Sequence, residues 1–414
     1  MTKQNKNRPG YKNTKVGWMP DEWDCVRLSK ICIKIGSGIT PKGGRDTYVD
    51  KGIPFIRSQN VQDGYFTSSG LAYITDEQHE KMSGSAVLHG DVLYNITGAS
   101  IGRACCFPIN IPQANVNQHV CILRTDSTTY AYFLNIQLNS SIGKKQLYAN
   151  QAGGGREGLN FENLGAYTVP LPPLPEQKKI AKISSTWDRA IEKTEKLIEK
   201  CELRKKGLMQ KLFSHEKYKS KEIRIGDALK EVKRPLKMND DESYQLVTVK
   251  RRFGGVEPRE ILHGKKILVK SQYSLKEGDF LISKRQIVHG ACNLVPKELE
   301  GAIVSNEYLV FAPKEGVDIK YFNRLVQVPK MQHKFYLSSI GVHIEKMLFK
   351  YEWWKKEKIF LPTLKAQNKI AKILDTTDKE INQLKSKLEA LKEQKKGMMQ
   401  KLLTGEVRVK IKTE

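Results

Sequence analysis

Two stretches of the chain share one rhythm of apolar and polar positions. From Leu171 to Glu216, and again from Leu361 to Glu406, apolar positions step alternately by four and three residues. The first seam runs Ile180, Ser184, Trp187, Ile191, Thr194, Ile198, Cys201, Lys205, Leu208 and Leu212. The second runs Ile370, Leu374, Thr377, Ile381, Leu384, Leu388, Leu391, Lys395, Met398 and Leu402. A 3.5-residue period held over about five heptads, with Lys, Glu and Gln at most other positions, predicts a coiled coil rather than a helix lying on a globular core. The lysines at the matching positions 205 and 395 interrupt the seams, and such polar residues set register. Laid over one another at a shift of 190 residues, the stretches need no gap and agree at 21 of 46 positions, which marks an internal duplication. Each opens on a proline-bearing segment, "VPLPPLPEQ" and "FLPTLKAQ", so the helices are expected to begin near Glu176 and Ala366.

Size sets the expected orientation. The segment between the helices runs from about Ser214 to Phe360, and a compact domain of that length is roughly 35–40 Å across. A helix of about 36 residues spans roughly 54 Å. A parallel pair would force the middle segment to bridge that whole length, whereas an antiparallel pair puts the end of the first helix beside the start of the second. The expectation is an antiparallel coiled coil with a pseudo-two-fold axis and one globular domain at each end.

The two segments ahead of the helices agree only in patches. "HGDVLYN" (89–95) matches "EGDFLIS" (277–283), "IGRACCFP" (101–108) meets "HGACNLVP" (289–296), and "VNQHVCIL" (116–123) meets "VSNEYLVF" (304–311) after a small slip. Short β-rich runs punctuated by Gly-Asp and Gly predict mixed domains. "TTYAYFLNIQLNSSIGKKQL" and "DIKYFNRLVQVPKMQHKF" read as helices late in each domain. The fold class is therefore α+β: two globular mixed α/β domains joined by two long helices as a pseudo-two-fold internal repeat. The expected boundaries are a flexible basic arm over 1–11, a first domain over 12–170, a helical region over 171–213, a second domain over 214–360, a second helical region over 361–406 and a tail over 407–414.

Charge narrows the partner. The 414 residues carry a formal net charge of +26 and a pI near 9.6. A lysine-rich solvated surface is the bland reading; a polyanion, nucleic acid above all, is the sharper one. No apolar run is long enough to span a membrane, and the polar N-terminus lacks a signal-peptide core, so a cytoplasmic protein is expected. Seven cysteines without C-x-x-C spacing argue for reduced thiols and against structural zinc.

Catalytic motifs are missing from the sequence. There is no G-x-x-x-x-G-K-[ST] loop, no N-P-P-[FY] tetrapeptide and no H-E-x-x-H pair, and "GSG" at 36–38 lacks the third glycine of a dinucleotide fingerprint. This fits a chain that reads a target while partners perform chemistry.

A globular domain ending in "VPLPPLPEQKKIA", a helix ending in "KKGLMQKLF" and a second such unit together resemble the specificity subunit of type I restriction-modification systems. "VGWMPDEWDCVRL" (16–28), "GSGITP" (36–41) and "GIPFIRSQNV" (52–61) resemble the opening of that family's target-recognition domain. The second unit departs from the pattern, with Lys365-Ala366 where the first has Pro175-Glu176. The resemblance implies double-stranded DNA with a bipartite site, two methyltransferase subunits and restriction/translocase subunits as partners, in a bacterial or archaeal host. It also implies that S-adenosylmethionine, ATP and Mg belong to those partners, with no cofactor or metal held by this chain.

The DNA-reading candidates are polar and basic loop clusters. In the first domain they are "TPKGGR" (Lys42, Arg45), "RSQN" (Arg57, Ser58, Gln59, Asn60) and "NQAGGGREGLN" (Gln151, Gly154, Gly155, Arg156, Asn160). In the second they are "VKRRFGG" (Lys250, Arg251, Arg252), "SKRQIVH" (Lys284, Arg285, Gln286, His289) and "PKMQHK" (Lys330, Gln332, His333, Lys334). Arg and Gln pair bidentately with guanine and adenine edges, Lys meets phosphate, and successive glycines let backbone approach closely. For any single residue, solvated surface charge is the competing explanation; the clusters carry the expectation. Two other classes remain open at this point: a methyltransferase or nuclease of unfamiliar motif, and a coiled-coil DNA-bridging protein without sequence preference.

Overall fold

The long helices run Leu174–Leu212 and Leu364–Leu403, 39 and 40 residues. Both start two residues ahead of the expected positions. Pro175 falls in the first turn, where a backbone N–H has no intrahelical partner to lose. The computed structural model describes residues 9–41, 43–151, 158–214 and 218–411. These divide into two units, Met1–Thr194 with Lys387–Glu414 and Glu195–Ser386, and each helix contributes to both.

The seams are legible as burial. Ile180, Ser184, Thr194, Ile198, Cys201 and Leu212 are buried on the first helix, with Trp187, Ile191, Lys205 and Leu208 half-buried. On the second helix Ile370, Leu374, Thr377, Ile381 and Leu402 are buried, with Leu384, Leu388, Leu391 and Lys395 half-buried. Met398 is the exception, 40 % exposed, while its neighbour Met399 is buried. At its end this helix packs no longer against one helix but against a core of Met19, Trp23, Phe133 and Ile180, to which Met399, Leu402 and Leu403 turn. A helix facing a globular core buries a wider stripe at the 3.6-residue period, and the seam shifts by one position.

The pairing is antiparallel and reciprocal. In one unit Lys395 bonds Asp188 at 2.5 Å; in the other Lys205 bonds Asp378 at 2.6 Å. Lys205 and Lys395 occupy equivalent repeat positions, as do Asp188 and Asp378, so each helix offers the other the same lysine and the same aspartate, the signature of an isologous contact. Arg204 with Glu380 and Lys385 with Glu202 (2.7 Å) extend the contact in the second unit.

A second duplicated residue ties each helix to its domain. Gln177 is 1 % exposed; its Oε1 accepts from Tyr130 N at 2.8 Å, and its Nε2 donates to the carbonyls of Thr128 and Pro172, both at 2.9 Å. Gln367, 0 % exposed, does the same with Asp318 N (2.9 Å) and the carbonyls of Gly316 (2.9 Å) and Pro362 (2.8 Å). Replacing either by leucine keeps the bulk but strands three backbone groups, one on a buried residue, one on a half-buried and one on an exposed residue that water can reach; an unpaired buried group costs about 1–3 kcal/mol. A Gln367→Leu chain is expected to lose about 2 kcal/mol of stability in the second domain, read by amide exchange in that domain, and unchanged protection there would refute the clamp.

The two domains share one topology. In the first, an antiparallel sheet orders Cys32–Ser37, Val120–Thr125, Val92–Asn95 and Ala104–Cys106; in the second the order is Leu229–Glu231, Tyr308–Pro313, Phe280–Ser283 and Cys292–Leu294. A second sheet carries one parallel pair in each domain, Ile53–Ile56 with Ala114–Val116 and Ser243–Val249 with Ile303–Ser305. The last three strands of the antiparallel sheet stand at one offset of 188 residues, which also joins all three sequence patches, so the patches need no slip. The stretches expected to be helical late in each domain each hold two helices. Ala131–Asn139 and Ser141–Gln151 break at Ser140, and Ile319–Leu325 and Pro329–Leu337 break before Pro329, which starts a helix but cannot continue one. Tyr11, expected within an arm, begins a strand Tyr11–Thr14 paired with Gly17–Pro20.

One buried ion pair sits at the same place in each sheet. Asp91, its side chain 1 % exposed, takes the Arg124 guanidinium at 2.8 and 2.9 Å and the Leu88 N–H at 2.7 Å. Asp279 takes Arg234 at 2.6 and 2.9 Å and the Lys276 N–H at 2.7 Å. The hydrogen bonds that both guanidinium groups donate to these carboxylates push them still higher than their ordinary range.

Candidate nucleic-acid interface

In the first domain the loop after strand Ile53–Ile56 carries "RSQN". Arg57 donates from Nη2 to the Gly70 carbonyl at 2.7 Å and lies 5.8 Å from the centre of the Tyr48 ring. Ser58 and Gln59 face an open groove of about 500 Å³, lined also by Gln62, residues 97–100, Arg103 and His119. Asn60 does not face it. It is 0 % exposed, donates to the carbonyls of Thr67 (3.0 Å) and Ser69 (3.3 Å), and accepts from Arg57 N at 3.1 Å. Both donors and one lone pair of the amide fasten the loop, and complete burial keeps the side chain from a base. Asn160 is likewise engaged, capping helix Phe161–Gly165 by accepting from Asn163 N at 2.6 Å. Lys42, Gly154, Gly155 and Arg156 lie outside the described residues, as do the side chains of Arg45 and Gln151.

The groove brings in residues that the sequence reading missed. Thr97 Oγ1 meets His119 Nδ1 at 2.6 Å, Gln118 Nε2 lies 3.2 Å from His119 Nε2, and Arg103 donates to Gln62 Oε1 at 2.9 Å. The 188-residue offset was the signal that could have found them, because it carries Thr97 onto Arg285, Gly98 onto Gln286 and His119 onto Glu307.

In the second domain the clusters "VKRRFGG" and "SKRQIVH" meet. Arg251 donates from Nε to Gln286 Oε1 at 2.8 Å and from Nη2 to Glu345 Oε2 at 2.6 Å. His289 Nε2 lies 3.3 Å from the other oxygen of Glu345. Arg285 pairs with Glu307 at 2.6 Å, Lys250 with Glu257 at 2.7 Å, and Lys284 donates to the Asn306 carbonyl. Among the described residues Arg252 has no ion-pair partner. Glu345, Glu307 and Glu257, none of them a candidate in the sequence, therefore belong to this surface.

Helix Pro329–Leu337 buries Met331 and Phe335 in the core and packs beside the turn Ile287–His289. Lys330, Gln332 and His333 are on its exposed side. Gln332 donates to the Gln327 carbonyl at 2.7 Å, and the His333 ring stacks on Tyr336 with centroids 6.4 Å apart. Lys334 is turned away, bonded to Glu357 at 2.5 Å with its side chain 25 % exposed. That pairing comes from a residue 23 positions on, beyond the reach of a local pattern.

Burial holds five of the described thiols, Cys32, Cys105, Cys106, Cys121 and Cys292, away from ionisation. All seven cysteines are free, and burial pushes the Cys105 and Cys121 thiols up to about 12 and Cys292 up as well. The thiolate is the reactive form, so these groups are inert at neutral pH. No group of three or more His, Cys, Asp or Glu among the described residues could hold a metal ion, and no helix there is long and apolar enough to cross a membrane.

Duplicated domains with dissimilar polar loops, carried on an antiparallel helix pair, define a two-headed recognition protein. The chain belongs to the family of the type I restriction modification DNA specificity domain, whose model matches residues 20–203 and 218–393. It is similar to the putative type I restriction enzyme MjaX specificity subunit of Methanocaldococcus jannaschii, 27 % identical over 97 % of both chains. It is also similar to the MjaVIII specificity subunit of the same organism, 26 % identical over 95 % of this chain and 94 % of that one. In fold it resembles the type I restriction-modification S subunit from M. genitalium, with a TM-score of 0.55, 15 % identity, and coverage of 92 % of this chain and 96 % of that chain. Family membership sets aside the reading as a DNA-bridging protein without sequence preference.

Proposed function

We propose that this chain is the subunit that gives a type I restriction-modification complex its DNA sequence specificity. Each globular domain reads one half of a bipartite target, and the helix pair sets the separation of the halves. The chain performs no chemistry of its own. It holds two methyltransferase subunits, because duplicated units offer duplicated docking surfaces, and restriction/translocase subunits join them. S-adenosylmethionine, ATP and Mg belong to those partners.

One observation carries the reading. The scaffold is repeated in its working contacts, Lys205–Asp378 with Lys395–Asp188 and Gln177 with Gln367, while the loops at matching positions differ in chemistry, Thr97–His119 against Arg285–Glu307. A repeated frame with unlike heads suits a target of two unlike halves. The paired carboxylates on the second head leave DNA to be held by basic groups spread over each domain, so affinity is strongly salt-dependent.

The test is adenine methylation across a host genome with and without this chain, the methyltransferase subunits being present in both. A single split motif is expected to be methylated only when the chain is present. Exchanging residues 12–170 for the matching domain of another family member is expected to change one half of that motif and leave the other. Methylation at the same sites without the chain would overturn the proposal.

A further inference from the structure

A short β-ribbon in the second domain carries apolar side chains outward instead of inward. Strand Ser339–Ile340 pairs with strand Leu348–Phe349, Ser339 opposite Phe349 and Ile340 opposite Leu348. The root of the ribbon is fixed. Phe349 is buried, its ring centroid 5.8 Å from that of Phe335 and 5.6 Å from that of Trp354. Its N–H donates to the Lys284 carbonyl at 3.0 Å. Gly341 packs so closely on Met347 that a Cβ there would stand 2.9 Å from the Met347 Cα. This pinch closes residues 342–346 into a small loop that projects from the ribbon. Val342 on this loop is 97 % exposed, and Ile340 and Ile344, two residues to either side, are exposed too.

The loop is braced from the side. Glu345 sets both carboxylate oxygens on the Arg251 guanidinium, Oε2 at 2.6 Å from Nη2 and Oε1 at 3.5 Å from Nη1. Gln286 takes the Arg251 Nε at 2.8 Å, and His289 Nε2 lies 3.3 Å from Glu345 Oε1. Arg251 therefore holds the loop and is not free to fork onto a base. Three apolar side chains turned to solvent add nothing to the fold, because burial is what makes such groups stabilising. Their surroundings are basic. Lys346 is in the loop and exposed, Lys284 meets the root of the ribbon through its carbonyl, and Arg252 N donates to the His289 carbonyl at 2.7 Å. None of these three cations has a carboxylate partner among the described residues. Apolar side chains among unpaired cations suit a polyanion that offers apolar groups inside a groove.

We propose that this loop enters the major groove at the half-site of the second domain, and that Val342 reads a thymine there through its C5 methyl group, with Glu345 and Arg251 as positioning residues. The assignment rests on the specificity reading given above. The major groove, about 12 Å wide, admits a two-stranded ribbon, and the minor groove, about 6 Å wide, does not. The thymine methyl is the apolar group that base edges present in the major groove. Covering one such carbon corresponds to about a fourfold preference for thymine over uracil. Arg252, Lys284 and Lys346 meet phosphates, which seats the loop without reading sequence.

The experiment starts from the motif that the full-length chain, in complex with its methyltransferase subunits, selects from randomised duplex DNA. Each thymine of that motif, on either strand, is replaced in turn by deoxyuridine, which removes the methyl and keeps the base pair. One of these replacements is expected to weaken wild-type binding about fourfold, and Val342→Ser is expected to erase that difference while the other positions of both halves are kept. Glu345→Gln should bring the same thymine-to-uracil ratio towards one. In both variants amide protection of strand Phe280–Ser283 should match the wild type, which separates a lost contact or a lost brace from a damaged domain. A motif in which no thymine responds, or a Val342→Ser chain that keeps the wild-type ratio, would overturn the assignment while the specificity reading stood. A Val342→Ser chain that lost its methyltransferase subunits would overturn it as well, because a protein would then cover the loop. A complex that selected no motif would remove both.

Discussion

Removing seven residues from each long helix, 191–197 and 381–387, is expected to abolish methylation at the natural motif or move it to a motif with a shorter gap, with the bases of both halves unchanged. Seven residues are two helical turns and one heptad, so the apolar seam stays in phase while each helix shortens by about 10 Å. B-DNA rises 3.4 Å per base pair, so 10 Å corresponds to about three base pairs of gap. A domain displaced along the duplex by that amount also turns by about a third of a helical turn, which takes its loops off the groove. Retention of the old motif is therefore not expected. A deletion of six residues in each helix is the control. It shortens the helices almost as much but rotates the seam out of register, turning Ile198 and Leu388 away from their buried and half-buried places, and should cost folding rather than spacing. The result that would sink the ruler is a seven-residue deletion that keeps the gap and alters the bases read.

The second large effect is local. Asp91→Ala is expected to destabilise the first domain by about 3 kcal/mol, because it leaves Arg124 without its counter-charge and the Leu88 N–H without an acceptor. The figure sits at the low end for a broken buried pair, since the Arg124 side chain keeps 23 % exposure and water can reach it. Asp279→Ala should do the same to the second domain, where Arg234 keeps 25 % exposure. Amide exchange is the measurement, because a chain of two units does not unfold as one. Protection should fall in Val92–Asn95 and Val120–Thr125 for the first variant, and in Phe280–Ser283 and Tyr308–Pro313 for the second. The double change Asp91→Leu with Arg124→Met, which removes both charges, should restore part of the loss. Equal loss of protection in both domains from a single change would contradict the independence assumed here.

The helices and their clamp were written locally. A 4-3 spacing of apolar residues can be read without knowing the fold, because a helix turns the same way whatever it packs against. The exact repeat at 190 residues then made Gln177 with Gln367, and Asp188 with Asp378, visible as pairs. The candidate surfaces were legible only as clusters. "KRR" and "KRQ" lie outside the strands, but that Arg251 reaches Gln286 across 35 residues and Glu345 across 94 depends on how two strands and a hairpin are stacked.

The sequence by itself determined that two like units are joined by paired helices and that the chain lacks the usual catalytic signatures, and its charge pointed to a polyanion as partner. Tertiary structure decided which polar residues are available. Asn60 and Lys334 looked as exposed as their neighbours, yet one is consumed by loop carbonyls and the other by Glu357. Met398 and Met399 exchanged places because a helix end met a core instead of a second helix. The clearest case is the buried aspartate. Asp91 and Asp279 hold equivalent positions in the repeat, but Arg124 lies on strand Val120–Thr125 and Arg234 on the link between Leu229–Glu231 and Pro235–Leu236. A buried carboxylate needs a cation wherever one can reach it, and reach is a property of the folded chain that no spacing along the sequence records.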